Sequence, residues 1–264
     1  STRARANLRR ALPALSPATA LSPAPAFSQA EETRILRAMW DNLGRVAGEY
    51  AHLDTITAPD SGRVETEGFH HLDAAFAGQR GTIAFSGHLA NWEVMHIMVA
   101  RRAARCTTVV RDPNNPLIHD ALERCRAVGG GRRSPKGTAG ARDMLATLRG
   151  GGLVAMLVDQ RMREGVTAPF FGIEAPSPAA PAQMALRLGA ALHPVNLERT
   201  GPARFRMTVH PALDLAASSL ESEDHAARVR AVTAAVNAWV ESFIRARPED
   251  WLWLHRRWGK DETG

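Results

Sequence analysis

A histidine followed five residues later by a carboxylate is the part of this sequence best suited to chemistry. His88 and Glu93 follow a short apolar run, residues 82–85, and a Ser86-Gly87 turn. Such a pair can form a general base, because the carboxylate holds one ring nitrogen while the other faces a substrate. Residues five apart lie on different faces of a helix. We therefore expect His88 in the turn and Glu93 in the first turn of a helix. The same pair is also common as an incidental surface or capping contact.

Alternating elements position this pair. Apolar runs predict strands at residues 64–67, 81–86, 106–110, 153–158, 192–197 and 205–209. Helical patterns are found at residues 31–53, 69–77, 91–102, 116–128, 138–149, 178–188 and roughly 223–247. This alternation predicts an α/β fold with a mainly parallel central sheet flanked by helices.

Further polar residues follow other predicted strands. Arg111 comes directly after the strand at 106–110, and Asp159 and Gln160 follow the strand at 153–158. Ligands gather at the carboxyl ends of parallel strands, which is also where His88 falls. Considered alone, Arg111 could equally be a surface ion-pair partner, and Asp159 could equally be a loop or helix cap. Because these residues and His88 all follow predicted strand ends, together they favour a functional site at that edge of the sheet.

Composition limits the function classes. The 264 residues, 45% of them hydrophobic, suffice for one large α/β domain or two small ones. The apolar runs are far shorter than the ~20 residues of a membrane span, so no transmembrane helix or signal peptide is expected. The two cysteines lack metal-site spacing, which favours reduced thiols in the cytosol. A net charge of +6 indicates an anionic partner: nucleic acid, lipid headgroups, a phosphorylated substrate or an acidic protein.

Two regions differ in composition. Residues 11–30 are rich in Ala, Pro and Ser, and we expect residues 1–30 to form an arm or loop. Residues 31–264 are expected to form the catalytic domain.

Seven segments carry a resemblance along nearly the whole chain. They are residues 5–8 (RANL), 40–45 (WDNLGR), 87–93 (GHLANWE), 110–116 (VRDPNNP), 158–160 (VDQ), 169–172 (PFFG) and 251–258 (WLWLHRRW). In this order they resemble the bacterial lipid A biosynthesis acyltransferases, the late lauroyl and myristoyl transferases. The histidine-x4-acid element alone is shared with glycerolipid acyltransferases, whose fold it implies. Two departures are an insertion-like stretch near residues 16–28 and the lack of the family's N-terminal hydrophobic anchor, which we expect to have preceded Ser1.

The resemblance implies a reaction. A fatty acyl group moves from acyl carrier protein to a hydroxyl of a lipid A precursor. His88 is then the general base, Glu93 fixes its tautomer, and Arg111 meets the negative charge on the thioester oxygen. Backbone N–H groups at the start of the Asn91 helix could share that task. The remaining candidates for substrate binding or site shaping are Asn91, Asp159, Gln160, Arg256 and Arg257. No metal, other cofactor or acyl-enzyme intermediate is expected.

The implied partners are acyl carrier protein, the lipid A precursor and the cytoplasmic face of the bacterial inner membrane, and not nucleic acid. Trp251, Trp253 and Trp258 suit either a membrane interface or the core. Two alternatives stay open. One is an acyl-CoA-dependent enzyme acting on a mannosylated or glycerol-based lipid. The other is a basic lipid- or nucleic-acid-binding module without activity.

Overall fold

The computed structural model describes residues 1–15, 28–110, 116–135, 137–217 and 223–259. The helices are α1 (Thr2–Leu15), α2 (Gln29–Glu49), α3 (Leu53–Ile56), α4 (His70–Ala77), α5 (Trp92–Arg102), α6 (Pro116–Arg126), α7 (Thr138–Arg149), α8 (Ala180–Leu188) and α9 (His225–Ala246). The strands are β1 (Val64–Glu67), β2 (Thr82–Ser86), β3 (Cys106–Val110), β4 (Arg132–Pro135), β5 (Leu153–Leu157), β6 (Val166–Phe170), β7 (Ile173–Ser177), β8 (Ala191–Gly201) and β9 (Arg204–Val209).

The described strands form a seven-stranded sheet and a separate hairpin. The sheet order is β1-β9-β8-β2-β5-β3-β4, and only the β8–β9 pair is antiparallel. Strand β2 lies between β8 and β5, and Ser86 pairs with Leu157, so β2 and β5 end at the same level. The predicted α/β fold with a mainly parallel sheet is confirmed.

Apolar cores cover both faces of the sheet. Ile83 and Phe85 of β2 join the core formed with α1, α2, α8 and α9, whereas Ala84 joins the core formed with α5. Successive strand residues point to opposite faces, so a strand covered on both sides reads as a continuous apolar run. This explains why β2 is buried throughout and why its run was easy to predict.

The N-terminal residues differ from the arm expected for residues 1–30. Residues 2–15 form α1, and Ala4, Leu8 and Ala11 are fully buried in the core. Their spacing of four and three residues places them on one helix face. The Ala-, Pro- and Ser-rich composition of residues 11–30 led us instead to expect an arm. Residues 16–27 lie outside the described residues. Helix α2 starts earlier than expected, because Ser28 and Glu31 form a capping box.

The prediction also lacked β4 and the β6–β7 hairpin. The hairpin strands carry Pro169 and Pro176, which argue against strands in a sequence pattern. Its turn, Phe171-Gly172, has positive φ at both residues. Across the described ranges, no helix combines the length and apolarity needed to cross a membrane.

Candidate active site

The loop between β2 and α5 presents His88 at the carboxyl edge of the sheet. Glu93 lies in the first turn of α5, as expected, and the Asn91 side chain caps that helix by accepting from the Glu93 backbone N–H at 3.2 Å. The left-handed backbone of this loop falls at Ala90, with φ of 45°. Gly87 serves another purpose: a Cβ there would lie 3.1 Å from Val240 Cγ1 and 3.4 Å from Asp159 Oδ2. The missing side chain leaves room for Val240 of α9 to pack against the loop.

Asp159, and not Glu93, meets the imidazole of His88. Nδ1 of His88 lies 2.7 Å from Asp159 Oδ1, and the His88 backbone N–H donates to Oδ2 at 2.9 Å. Each residue lies two positions beyond the paired strand ends Ser86 and Leu157, which brings both to one level of the sheet. The carboxylate therefore accepts a hydrogen bond from Nδ1–H, which leaves Nε2 with its lone pair.

The expected contact between Glu93 and His88 is replaced by a buried cluster. The Glu93 carboxylate accepts from Tyr50 Oη at 2.8 Å and from Arg126 at 2.6 and 2.9 Å. The fork of the guanidinium matches the two carboxylate oxygens. Burial alone would raise the pKa of Glu93, but the hydrogen bonds and charge of Arg126 lower it below its usual value. Glu93 thus ties α5 to α6 and stays charged.

Asp159 is held as a carboxylate. Its side chain is fully buried and accepts a third hydrogen bond from Trp251 Nε1 at 2.7 Å. Burial alone would raise its pKa, but the charge and hydrogen bond of His88 and the charge of His255 outweigh burial and lower the pKa well below its usual value. A permanent negative charge beside Nδ1 stabilises an imidazolium if Nε2 accepts a proton.

Gln160 and His255 complete the group around His88. The Gln160 amide nitrogen lies 3.1 Å from Nε2 of His88 and 3.1 Å from Nε2 of His255. The two imidazole centroids are 4.8 Å apart, and the Trp92 ring meets His88 edge-on at 5.2 Å. The His88 side chain remains 15% exposed, so its ring is accessible from the sheet edge. His255 was not among the candidates from the sequence. Its position within the resembling C-terminal segment was the only available signal.

Two remote segments brace the His88 loop. From α2, Asn42 donates to the Ala90 carbonyl at 3.0 Å, and Glu49 accepts from Asn91 at 2.8 Å. From the C-terminal segment, the Asp250 carbonyl accepts from Ala90 N, and Leu252 N donates to the His88 carbonyl. Asn91, predicted to bind substrate or to shape the site, is fully buried, and its side chain contacts Glu49 and the Glu93 backbone.

The C-terminal segment is mostly core. Trp251, Trp253 and Trp258 are buried, so the alternative of a membrane interface for them is wrong. Arg257, a candidate for binding substrate, is also fully buried. It donates to the Pro176 carbonyl and Ser177 hydroxyl, and burial lowers its pKa to about 10. A guanidinium enclosed in this way does not face a lipid phosphate, so of its two predicted roles the structure leaves site shaping for Arg257.

Exposed arginines border the site. Arg256, beside His255, is exposed, and so are Arg161, directly after Gln160, and Arg163, three residues after it. Arg111 lies outside the described residues, and its role in meeting the thioester oxyanion stays a prediction. Among the described side chains no three of His, Cys, Asp or Glu are grouped as metal ligands.

Comparison with known proteins gives consistent matches. The family described as bacterial lipid A biosynthesis acyltransferase matches residues 1–260. The chain is similar to phosphatidylinositol mannoside acyltransferases. It is 28% identical over 239 residues to that of Mycobacterium tuberculosis (strain ATCC 25618 / H37Rv), covering 86% of this chain and 71% of the relative. For strain CDC 1551 / Oshkosh the identity is 29% over 203 residues, with 74% and 60% covered. For Mycolicibacterium smegmatis it is 27% over 219 residues, with 78% and 67% covered.

The family match includes both strand ends that carry His88 and Asp159, as well as the two segments that brace them. The chain belongs to the bacterial lipid A biosynthesis acyltransferase family and is an acyltransferase.

Proposed function

We propose that this acyltransferase moves a fatty acyl group from a thioester to a hydroxyl of an anionic glycolipid, with His88 as general base. The observation that carries the proposal is the contact between the buried Asp159 carboxylate and Nδ1 of the partly exposed His88, at 2.7 Å. This contact leaves Nε2 unprotonated, as a general base requires.

The reaction balances without a covalent enzyme intermediate. Nε2 of His88 takes the hydroxyl proton as the acceptor oxygen bonds to the thioester carbonyl carbon. The carbon–sulfur bond then breaks, and the leaving thiolate takes the proton from the imidazolium. Asp159 stabilises the imidazolium between these steps. Arg111 remains our candidate for the charge on the carbonyl oxygen.

A phosphatidylinositol mannoside is the acceptor we favour. The three curated relatives named above are acyltransferases of that lipid class, while the family as a whole is described by lipid A biosynthesis. The resemblance alone favoured a lipid A precursor, which we keep as the second candidate. Both acceptors offer sugar or acyl-chain hydroxyls and phosphate. The exposed Arg161, Arg163 and Arg256 suit the phosphates of either one.

The donor is an acyl thioester, carried by acyl carrier protein or by coenzyme A. Both carry phosphate at the end of the pantetheine arm that bears the thioester at its other end, and acyl carrier proteins are acidic as a whole. The net charge of +6 fits either donor, with acyl carrier protein our first candidate as the resemblance implies. We expect no metal or further cofactor.

We place the enzyme at the cytoplasmic face of a bacterial inner membrane, bound peripherally through α2. Trp40 is 45% exposed on this helix, and Arg34 and Arg37 are exposed one to two turns before it. An exposed tryptophan beside arginines is typical of a helix lying at a lipid interface. Leu43, one turn further, borders a gap too narrow for a water molecule together with Trp92, whose ring contacts His88. This part of α2 therefore lies near the base.

Acyl transfer in vesicles tests the proposal. Each acceptor is offered with each donor, and acylated lipid is measured for wild type and for His88→Ala. We expect transfer to phosphatidylinositol mannoside and a loss on the order of 10²–10⁴-fold in the variant. Transfer to the lipid A precursor alone would select the second acceptor. Equal rates with His88→Ala, or no transfer with any pair, would refute the proposed function.

The exposed arginines need a separate control. Arg161→Ser with Arg163→Ser removes two charges beside the site, whereas Arg149→Ser with Arg187→Ser removes two at the opposite edge of the sheet. Arg149 and Arg187 are exposed at the ends of α7 and α8, next to the starts of β5 and β8. We expect a raised KM for the first pair only. Equal effects of both pairs on KM would show that Arg161 and Arg163 act only through the net charge of the protein.

A further inference from the structure

The Gln160 side chain makes a bridge that the proposed mechanism does not use. Its amide nitrogen lies 3.1 Å from Nε2 of His88 and 3.1 Å from Nε2 of His255. A carboxamide has two N–H donors, and a neutral imidazole offers one lone pair. Asp159 accepts a hydrogen bond from Nδ1–H of His88, so the lone pair of that ring is at Nε2 and receives one Gln160 N–H. In this state a donor covers the base.

An acceptor hydroxyl must displace that donor. For proton transfer the hydroxyl has to come within about 2.6–3.2 Å of Nε2, the position that a Gln160 N–H now occupies. The other N–H keeps its contact with His255, so the amide moves aside without losing its anchor. The displaced N–H then lies next to the bound hydroxyl and to the carbonyl that the hydroxyl attacks.

We propose that Gln160 covers the His88 base in the free enzyme and, once the acceptor displaces it, donates that N–H to the thioester oxyanion. His255 is then a positioning residue, which holds the amide at the site. This inference rests on the function proposed above and adds a catalytic donor to it. Protein donors placed at a developing oxyanion act strongly because they need no reorganisation during the reaction.

Two readouts of Gln160→Ala separate the possible roles by sign. The first is kcat for acyl transfer. The second is the rate at which diethyl pyrocarbonate modifies His88 in the free enzyme, followed by mass spectrometry of the peptide. We expect kcat to fall about 10²–10³-fold with KM little changed. We expect His88 modification to become faster, because Nε2 is uncovered. Gln183→Ala, on the exposed side of α8, is the matched control and should change neither.

Other outcomes overturn the inference. If Gln160 only covers the base, kcat and His88 reactivity both rise. If it only supports the fold, kcat falls and His96, which is buried in the folded enzyme, becomes modified along with His88. Unchanged kcat and His88 reactivity would show that the bridge has no role. Modification of His88 can be measured without turnover. If wild type transfers no acyl group but Gln160→Ala is still modified faster at His88, the proposed function and the oxyanion role are refuted. The conclusion that Gln160 covers the base would then remain.

His255 is tested by a conservative and a non-conservative variant. His255→Gln supplies a carbonyl oxygen that can accept the Gln160 N–H, whereas His255→Leu supplies no acceptor. We expect His255→Leu to lose about tenfold in kcat, the effect of one hydrogen bond, and His255→Gln to recover most of it. Equal losses in both variants would contradict the positioning role.

Discussion

Replacing Asp159 by asparagine should reverse the tautomer of His88. Oδ2 of Asp159 accepts two donors, the His88 backbone N–H and Trp251 Nε1, at 2.9 and 2.7 Å. The carbonyl oxygen of an asparagine must occupy that position, so its NH2 group faces Nδ1 of His88. Nδ1 then has to accept a hydrogen bond, which moves the ring proton to Nε2. A protonated Nε2 cannot take the proton of the acceptor hydroxyl.

The expected loss in kcat is about 10²–10⁴-fold, the contribution of a general base. At 1.36 kcal/mol for each factor of ten, this corresponds to about 3–5 kcal/mol of transition-state stabilisation. KM should change little, because the fully buried Asp159 side chain is separated from substrate by the His88 ring. Asparagine has the shape of aspartate, so the fold should persist.

The assay is the initial rate of thiol release in the presence of acceptor lipid, corrected for the folded fraction by circular dichroism. Glu93→Gln is the matched control, since its carboxylate bonds Tyr50 and Arg126 instead of His88. We expect that variant to lose less than about tenfold in kcat per folded molecule. The reasoning is refuted if Asp159→Asn stays within tenfold of wild type, or if folded Glu93→Gln loses as much as Asp159→Asn.

Further predictions concern the buried polar groups. Trp251→Phe removes a donor to the charged Asp159 and should lower the free energy of unfolding by about 1.5–3 kcal/mol in urea titration; no change would mean that the carboxylate finds another donor. Arg126→Met leaves Glu93 buried without its cation and should cost about 3–5 kcal/mol by the same measurement, and a loss below 1 kcal/mol would contradict the buried pair. Burial lowers the pKa of His96 to about 4, so the unfolded chain binds more protons between pH 4 and 6.5. The free energy of unfolding should therefore rise by about 3 kcal/mol across that range, and His96→Phe should remove this part of the pH dependence.

The sequence was sufficient to predict that His88 and Asp159 lie at the same edge of the sheet, but not that their side chains contact each other. His88 and Asp159 could be placed at strand ends because β2 and β5 are short apolar runs followed by polar residues. Along the chain, however, β3 and β4 come between β2 and β5, whereas in the sheet β5 adjoins β2. Strand order results from packing of the whole domain. When the strand order is unknown, sequence distance favours Glu93, the acid nearest to His88 along the chain, as its partner.

The C-terminal segment resisted prediction for a different reason. Residues 251–258 (WLWLHRRW) belong to neither a helix nor a strand, so no periodicity assigns a buried face. Arg256 is exposed while its neighbour Arg257 is enclosed, with its guanidinium 4.4 Å from the centroid of Phe170. Buried arginine is rare, and only a tertiary partner such as Ser177 makes it tolerable.

The bracing of the His88 loop explains why the resemblance extends over nearly the whole chain. Asn42 and Glu49 of α2 hold the loop from one side, and Arg199 of β8 fixes both of them through its guanidinium. Asp250 holds the loop from the other side and also pairs with Arg247 at 2.7 Å. A base works only if its position is held to within a fraction of an ångström. Residues far apart in sequence are therefore under the same geometric requirement as His88, although they have no contact with the reacting atoms.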